Sequence, residues 1–242
     1  VNASTVPDAG WAIVCDFDGT AIMGDIADAL ALRYLGEEQF RHVNAQFERG
    51  AITFRELLHA LFGPIAASAI ELRAFVREYT RFRPGFQRLL ALANAHDMPF
   101  LIASGGLDIY ITPALELLPA ALTANVTVRA NHAQHVPGGL SLSFPHENDA
   151  GSCGTCGSCK GAAVRALQKA GYRVIAIGDG HADRCMAQVA ETLFARARLR
   201  DWCDQSRLRY TAFETLDTVA DWLEAQLYLR GTPIDDAYTS IA

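Results

Sequence analysis

Three short runs of unbroken apolar residues, WAIVC (11–15), PFLIA (99–103) and VIAIG (174–178), constrain this chain more than any other feature. Each stops at small or polar residues that lead into a helical pattern. Continuous rather than alternating hydrophobicity means that both faces are covered, which is how parallel strands between helical layers read. Strands alternating with helices predict an α/β fold, a Rossmann-like doubly wound parallel sheet.

The first two runs lie ~80 residues apart, far more than one crossover helix needs. That interval reads as helical. ITFRELLHALF and SAIELRAFVREY each open with a capping box, Thr53 with Glu56 and Ser68 with Glu71. Gly50 and Gly63-Pro64 separate the helices. A small helical insert is therefore expected at 23–82, after the first strand of a core formed by 1–22 and 83–242. Farther on, LDIYITPALELL reads as a helix kinked at Pro113, and KGAAVRALQKA (160–170) as a regular one. ANVTVRANHA and GLSLSF alternate around Pro137-Gly138-Gly139 and predict an antiparallel pair at a sheet edge. The final RGTPIDDAYTSIA has no periodicity and is expected to be loose.

Composition narrows the partners. The chain has 242 residues, 50% of them hydrophobic, and a net charge of −6 without any basic tract, which argues against nucleic acid. LLHALFGPIAASAI is interrupted and too short to cross a bilayer, so no membrane partner is expected. The opening VNASTVPDAG has neither the positive nor the apolar region of a secretion signal. Three of the six cysteines are bunched in CGTCGSC and three are isolated, unlike a secreted disulfide framework. A cytoplasmic, reduced protein is expected.

The polar surprises all fall just after the apolar runs, and in doubly wound sheets ligands bind outside the carboxyl ends of the strands. Asp16 and Asp18 follow the first run in DFDGT; aspartate is a poor strand former and repels a like neighbour. Taken alone, Asp-Gly-Thr is ordinary turn chemistry. The second run ends in Ser104-Gly105-Gly106, a hydroxyl with two glycines that let the backbone approach a ligand before a helix begins. Lys160 opens a helix, where the dipole disfavours a cation, and GDGHAD supplies Asp179 and Asp183.

The order DFDGT, SGG, CK and GDGHAD resembles the haloacid dehalogenase superfamily of phosphatases along the whole chain. Within it the chain is similar to the phosphoserine phosphatase-like branch. SGGLDIYITPALE, NHA, FPH, CGSCKG and LFARARLRDWC resemble the methionine-salvage phosphatases that act on a hydroxy-keto-methylthiopentenyl phosphate. The resemblance implies a phosphomonoesterase of a small-molecule phosphate ester, with Asp16 as nucleophile and Asp18 as general acid and base. Mg²⁺ would be held by Asp16, the Asp18 backbone carbonyl and Asp179. Ser104 and Lys160 would bind the phosphoryl oxygens beside Gly105 and Gly106, with Thr20 in support. Asp183 would position either the metal's waters or Lys160. Asp25 and Arg55 are the candidates for reaching the rest of the substrate.

Two alternatives stand beside this reading. One is a phosphoserine phosphatase, although Asp25 is shorter than the glutamate that branch tends to carry. The other is a zinc or iron–sulfur module with a vestigial phosphatase site, suggested by Cys153, Cys156 and Cys159. No fourth ligand is adjacent, so His146, Cys185 or Cys203 would have to fold in. Incidental thiols in a Gly-Ser loop, or a facultative disulfide, are the simpler expectation, with Cys15 and Cys185 as buried small hydrophobes.

Overall fold

The computed structural model describes residues 10–229; the final segment read as loose, 230–242, lies outside them. Among the described residues seven strands form one sheet: β1 (Trp11–Cys15), β2 (Phe100–Leu107), β3 (Val126–Val136), β4 (Gly139–Ser143), β5 (Arg173–Gly178), β6 (Thr192–Ala195) and β7 (Thr211–Ala212). Their order is β4-β3-β2-β1-β5-β6-β7, and every neighbouring pair is parallel except β3 with β4. The chain winds outward from β1 on one side and from β5 on the other. A crevice at the carboxyl end of β1 is the consequence.

Helices α1 (Ile26–Leu35), α2 (Glu37–Glu48), α3 (Phe54–Phe62) and α4 (Ala69–Tyr79) lie between β1 and β2, followed by α5 (Phe86–Ala95). The remaining helices are α6 (Asp108–Leu115), α7 (Ala120–Thr123), α8 (Lys160–Lys169), α9 (Arg184–Ala187), α10 (Ala197–Ser206) and α11 (Asp217–Leu229). Ile13 and Cys15 join one hydrophobic cluster with α5, α6, α11 and the helices after β1. Val14 joins a second with α8, α9 and α10. Coverage of both faces explains why β1 and β5 read as unbroken apolar runs. None of the described helices is long and apolar enough to cross a membrane.

Both capping boxes form, at Thr53 with Glu56 and at Ser68 with Glu71. The entry and exit of the helical segment are paired with each other, by an antiparallel bridge between Ile22 and Phe82 and by the Met23 N–H on the Arg81 carbonyl (2.7 Å). The buried Arg83 side chain then donates to the carbonyls of Gly19 (2.6 Å), Thr20 (2.8 Å) and Glu214 (3.0 Å). It fastens the turn after β1 to the base of the helical segment.

One expectation is corrected. The strand does not stop at Ala103 but runs on through Ser104, Gly105 and Gly106 to Leu107, and the expected helix, α6, begins at once at Asp108. The register with β3 shifts between Ala103 and Leu107, and Asn131 donates to the Gly105 carbonyl (2.7 Å) across the gap. A side-chain amide from β3 thus satisfies backbone that regular pairing misses.

The end of α3 rests on the β3–β4 hairpin. The Leu140 N–H donates to the Gly63 carbonyl (2.9 Å), and a Cβ on Gly139 would stand 2.0 Å from that oxygen. Gly139→Ala must push two backbones apart, so it is expected to destabilise the protein by about 1–3 kcal/mol. Urea unfolding of the variant beside the parent checks this; an unchanged midpoint would mean that the contact is slack.

Candidate active site

Asp16 leaves the end of β1 buried, with its carboxylate in an ion pair with the Lys160 ammonium. The same ammonium pairs with Asp183 Oδ1, and the side chain of Lys160 is only 3% exposed. Burial works against the ammonium, and the charges of Asp16 and Asp183 more than offset it, so this amine holds its proton more tightly than a free lysine. Burial, ahead of the nearby Asp183, pushes Asp16 well above the usual carboxylate range, and Lys160 opposes that push.

Asp183 has a legible local task. Its Oδ2 accepts from the N–H groups of Asp179 and Gly180, both at 2.8 Å, while Oδ1 meets Lys160. Of the two tasks open to it in the sequence, the geometry matches the positioning of Lys160. The Asp179 carboxylate is not paired with Lys160 and lies 3.9 Å from the Arg196 guanidinium. Its Oδ1 and the Asp16 Oδ2 lie 3.2 Å from the Thr20 hydroxyl, which can donate to one of them at a time. Gly19 (φ +74°) makes this approach possible, since a Cβ there would be 2.3 Å from Asp179 Oδ2. Burial, and next the charge of Asp183, raises the affinity of Asp179 for a proton.

Asp18 sits in a different setting. Its Oδ1 accepts from the Ile26 N–H and its Oδ2 from the Tyr110 hydroxyl, both at 2.8 Å. Burial outweighs these two hydrogen bonds and lifts Asp18 to about 6. Two aspartates two residues apart therefore hold unlike environments, one facing a cation and the other a phenol. Tyr110 was not singled out in the sequence. The usable signal is its place in the first turn of α6 behind two glycines: a Cβ on Gly106 would lie 1.6 Å from the Tyr110 oxygen. Gly106 thus clears the path from Tyr110 to Asp18.

Ser104 is buried, and its Oγ accepts from the Gly106 N–H (2.9 Å), which leaves the hydroxyl hydrogen free to be donated. A cavity of about 580 Å³ brings Asp16, Asp18, Asp25, Ser104, Gly105, Gly106, Lys160, Asp179 and Asp183 together. Its opposite wall is apolar, with Phe54, Leu57, Leu58, Leu61 and Phe62 from α3. Asp25 lines the cavity while its Oδ1 caps α1 by accepting from the Asp28 N–H (2.8 Å). Burial, then Asp18 and Asp28, push it up to about 8. Arg196, also at the rim, donates to the Gly19 carbonyl (3.0 Å).

Arg55 is not brought to this cavity. It pairs with Glu147 (2.6 Å) and stacks over Phe144, lining a neighbouring cleft. A second group assembles outside the carboxylates: the thiols of Cys153, Cys159 and Cys185 lie within 4.8 Å of one another. Cys185 is half-buried against the other cysteines, which corrects its reading as an isolated core residue.

A family model for haloacid dehalogenase-like hydrolases matches residues 13–188. The chain belongs to that family. This haloacid dehalogenase-like hydrolase is 29% identical over 213 residues to a 2-hydroxy-3-keto-5-methylthiopentenyl-1-phosphate phosphatase of Exiguobacterium sibiricum, covering 88% of this chain and 95% of the relative. A protein of the same name from Bacillus velezensis is 28% identical over 88% of this chain and 89% of its own length. Among solved structures, a probable phosphoserine phosphatase from Vibrio cholerae superposes with a TM-score of 0.68 at 22% identity, over 93% of this chain and 67% of that one. A phosphoserine phosphatase with a phospho-aspartyl intermediate analogue gives 0.64 at 17% identity, over 89% and 99%. These two likenesses establish the fold.

Lys160→Met removes the one ammonium between two enclosed carboxylates. In chelated protein at pH 7.5 it is expected to cost roughly 3–5 kcal/mol, the scale for orphaning a buried charge. Asp16, left behind, binds a proton more tightly folded than unfolded, so the penalty shrinks as the pH falls toward its unfolded value near 4. Urea unfolding at pH 7.5 and pH 5 measures both; equal penalties at the two values would contradict the assignment.

Proposed function

We propose that this chain is a Mg²⁺-dependent phosphomonoesterase acting through an aspartyl-phosphate on Asp16. Its substrate is a small phosphate ester with an uncharged tail, of the 2-hydroxy-3-keto-5-methylthiopentenyl-1-phosphate kind. The observation that carries the reading is the unlike setting of Asp16 and Asp18. Asp16 faces Lys160, and Asp18 is held by Tyr110 and the Ile26 N–H.

The donor set suits a hard divalent ion: Asp16, Asp179 and Asp183 offer carboxylate oxygens within 4.8 Å of one another, with one ammonium among them. Asp183 is engaged by Lys160 and two N–H groups, which leaves Asp16 and Asp179, with the Asp18 backbone carbonyl, as the ligands. When bound, Mg²⁺ neutralises charge on the phosphoryl group and on the attacking carboxylate.

The residues then divide the work. Lys160 and the Ser104 hydroxyl hold the phosphoryl oxygens while an Asp16 oxygen attacks phosphorus in line with the ester oxygen. The P–O bond to the leaving group breaks, and protonated Asp18 gives its proton to the departing oxygen. Asp18, now a carboxylate, takes a proton from the incoming water. Water oxygen bonds to phosphorus, the bond to Asp16 breaks, and inorganic phosphate leaves with both aspartates restored. Thr20 keeps Asp16 and Asp179 aligned, and Tyr110 keeps Asp18 aimed.

Residues 23–82 act as a cap on the core that the other described residues form. The apolar α3 wall suits an alkyl or thioether tail better than the ammonium and carboxylate of phosphoserine. Arg55, engaged by Glu147, offers no guanidinium to the substrate from where it stands.

Asp16→Asn is expected to lower hydrolysis of p-nitrophenyl phosphate by roughly three orders of magnitude or more, and Asp18→Asn by ~10²–10⁴. Chelation should abolish turnover and Mg²⁺ restore it. Near-parental turnover of Asp16→Asn would rule out the covalent route. The methylthiopentenyl phosphate should exceed phosphoserine in kcat/KM by at least about tenfold, the scale of one buried apolar group. The reverse order would overturn the tail assignment and leave the phosphatase chemistry in place.

A further inference from the structure

We infer that Cys153, Cys156, Cys159 and Cys185 form a closed four-thiolate zinc site, separate from the carboxylate cavity and structural in role. Three of these residues come from the C-x₂-C-x₂-C run, and the fourth arrives from the start of α9, after β5. Cys153, Cys159 and Cys185 already place their sulfurs within 4.8 Å of one another, and the Cys156 sulfur is 3.0 Å from that of Cys153. With Zn–S bonds of about 2.3 Å, a tetrahedral ion sets its sulfurs about 3.8 Å apart; Cys153, Cys159 and Cys185 stand near that spacing, and Cys156 has to swing in to complete the set.

The compactness selects a single ion. A four-iron cluster interposes a whole cube of iron and sulfide between its thiolates, which would force these sulfurs much farther apart. Thiolate donors select zinc and leave Mg²⁺ to the oxygen site. On binding, the four thiols give up their protons to solvent and become the ligands.

The local chain shows what such an ion would hold. Residues 144–159 contain no helix or strand, a long irregular connection for a compact fold. Gly154 and Gly157 in the run have positive φ, which lets the backbone turn tightly around its cysteines. Cys159 directly precedes Lys160, and Cys185 stands two residues beyond Asp183. One ion across these cysteines ties together the two loops that carry the Lys160–Asp183 pair. It is therefore a positioning device for the anion-binding lysine rather than part of the chemistry.

The test is metal content, which does not depend on whether the proposed activity is right. Protein expressed with added zinc and purified under reducing conditions is measured by elemental analysis after EDTA treatment sufficient to strip Mg²⁺. About one zinc per chain is expected, and protein grown with cobalt should show the visible absorption of tetrahedral thiolate-bound Co²⁺. Cys185→Ser and the double variant Cys153→Ser/Cys156→Ser should lose the zinc and melt at lower temperature, while Cys203→Ser, outside the cluster, keeps it. If those variants fail to fold, the stoichiometry and cobalt spectrum of the parent protein still decide. Four titratable thiols without zinc, a Cys153–Cys156 disulfide found by non-reducing mass spectrometry, or iron with inorganic sulfide would each overturn the inference.

Discussion

The ammonium of Lys160 between Asp16 and Asp183 is the contact on which the rest of the arrangement depends. It joins the end of β1, the start of α8 and the loop after β5. Burying one ammonium and two carboxylates carries a large desolvation cost, and mutual attraction offsets it only where further hydrogen bonds satisfy the remaining oxygens. The N–H groups of Asp179 and Gly180 do this for Asp183, and the Thr20 hydroxyl does it for Asp16. The carboxylates still outnumber the ammonium, an excess that would suit the proposed divalent cation.

The frame around this contact follows from ordinary rules. β1 is central, buried on both faces and flanked by β2 and β5, so its carboxyl end opens at the reversal of the sheet. Arg83 pins the turn after Asp18 through the carbonyls of Gly19 and Thr20, and Arg196, just after β6, reaches the same Gly19 carbonyl. Fixing that turn fixes the direction of both aspartates. The helices inserted after β1 share the main hydrophobic cluster with the sheet, so the apolar wall over the carboxylates is an extension of the core itself.

Most of this frame was legible in the sequence because it is local. Continuous apolar runs marked β1, β2 and β5, and Thr53 with Glu56 and Ser68 with Glu71 marked two helix starts. The edge pair β3–β4 was visible in its alternation and its Pro-Gly-Gly turn. What escaped depends on contacts between distant segments. The extension of β2 through Gly105 and Gly106 rests on Asn131, the orientation of Asp18 rests on Tyr110, and Arg55 is drawn away by Glu147. Cys185 could not be joined to the cysteine run until β5 and α9 brought the two loops together. Residue types announced the chemistry; only the fold revealed who faces whom.

The central claim is that Asp16 becomes covalently phosphorylated during turnover. Protein mixed with excess phosphate ester and Mg²⁺, quenched in acid and treated with borohydride, converts any acyl phosphate to the corresponding alcohol, which marks a phosphorylated aspartate as homoserine. Peptide mass spectrometry is expected to find homoserine at position 16 and nowhere else, and none when substrate is omitted. Homoserine at position 18 or 179, or unmodified Asp16 in protein that turns over fully, would contradict the account.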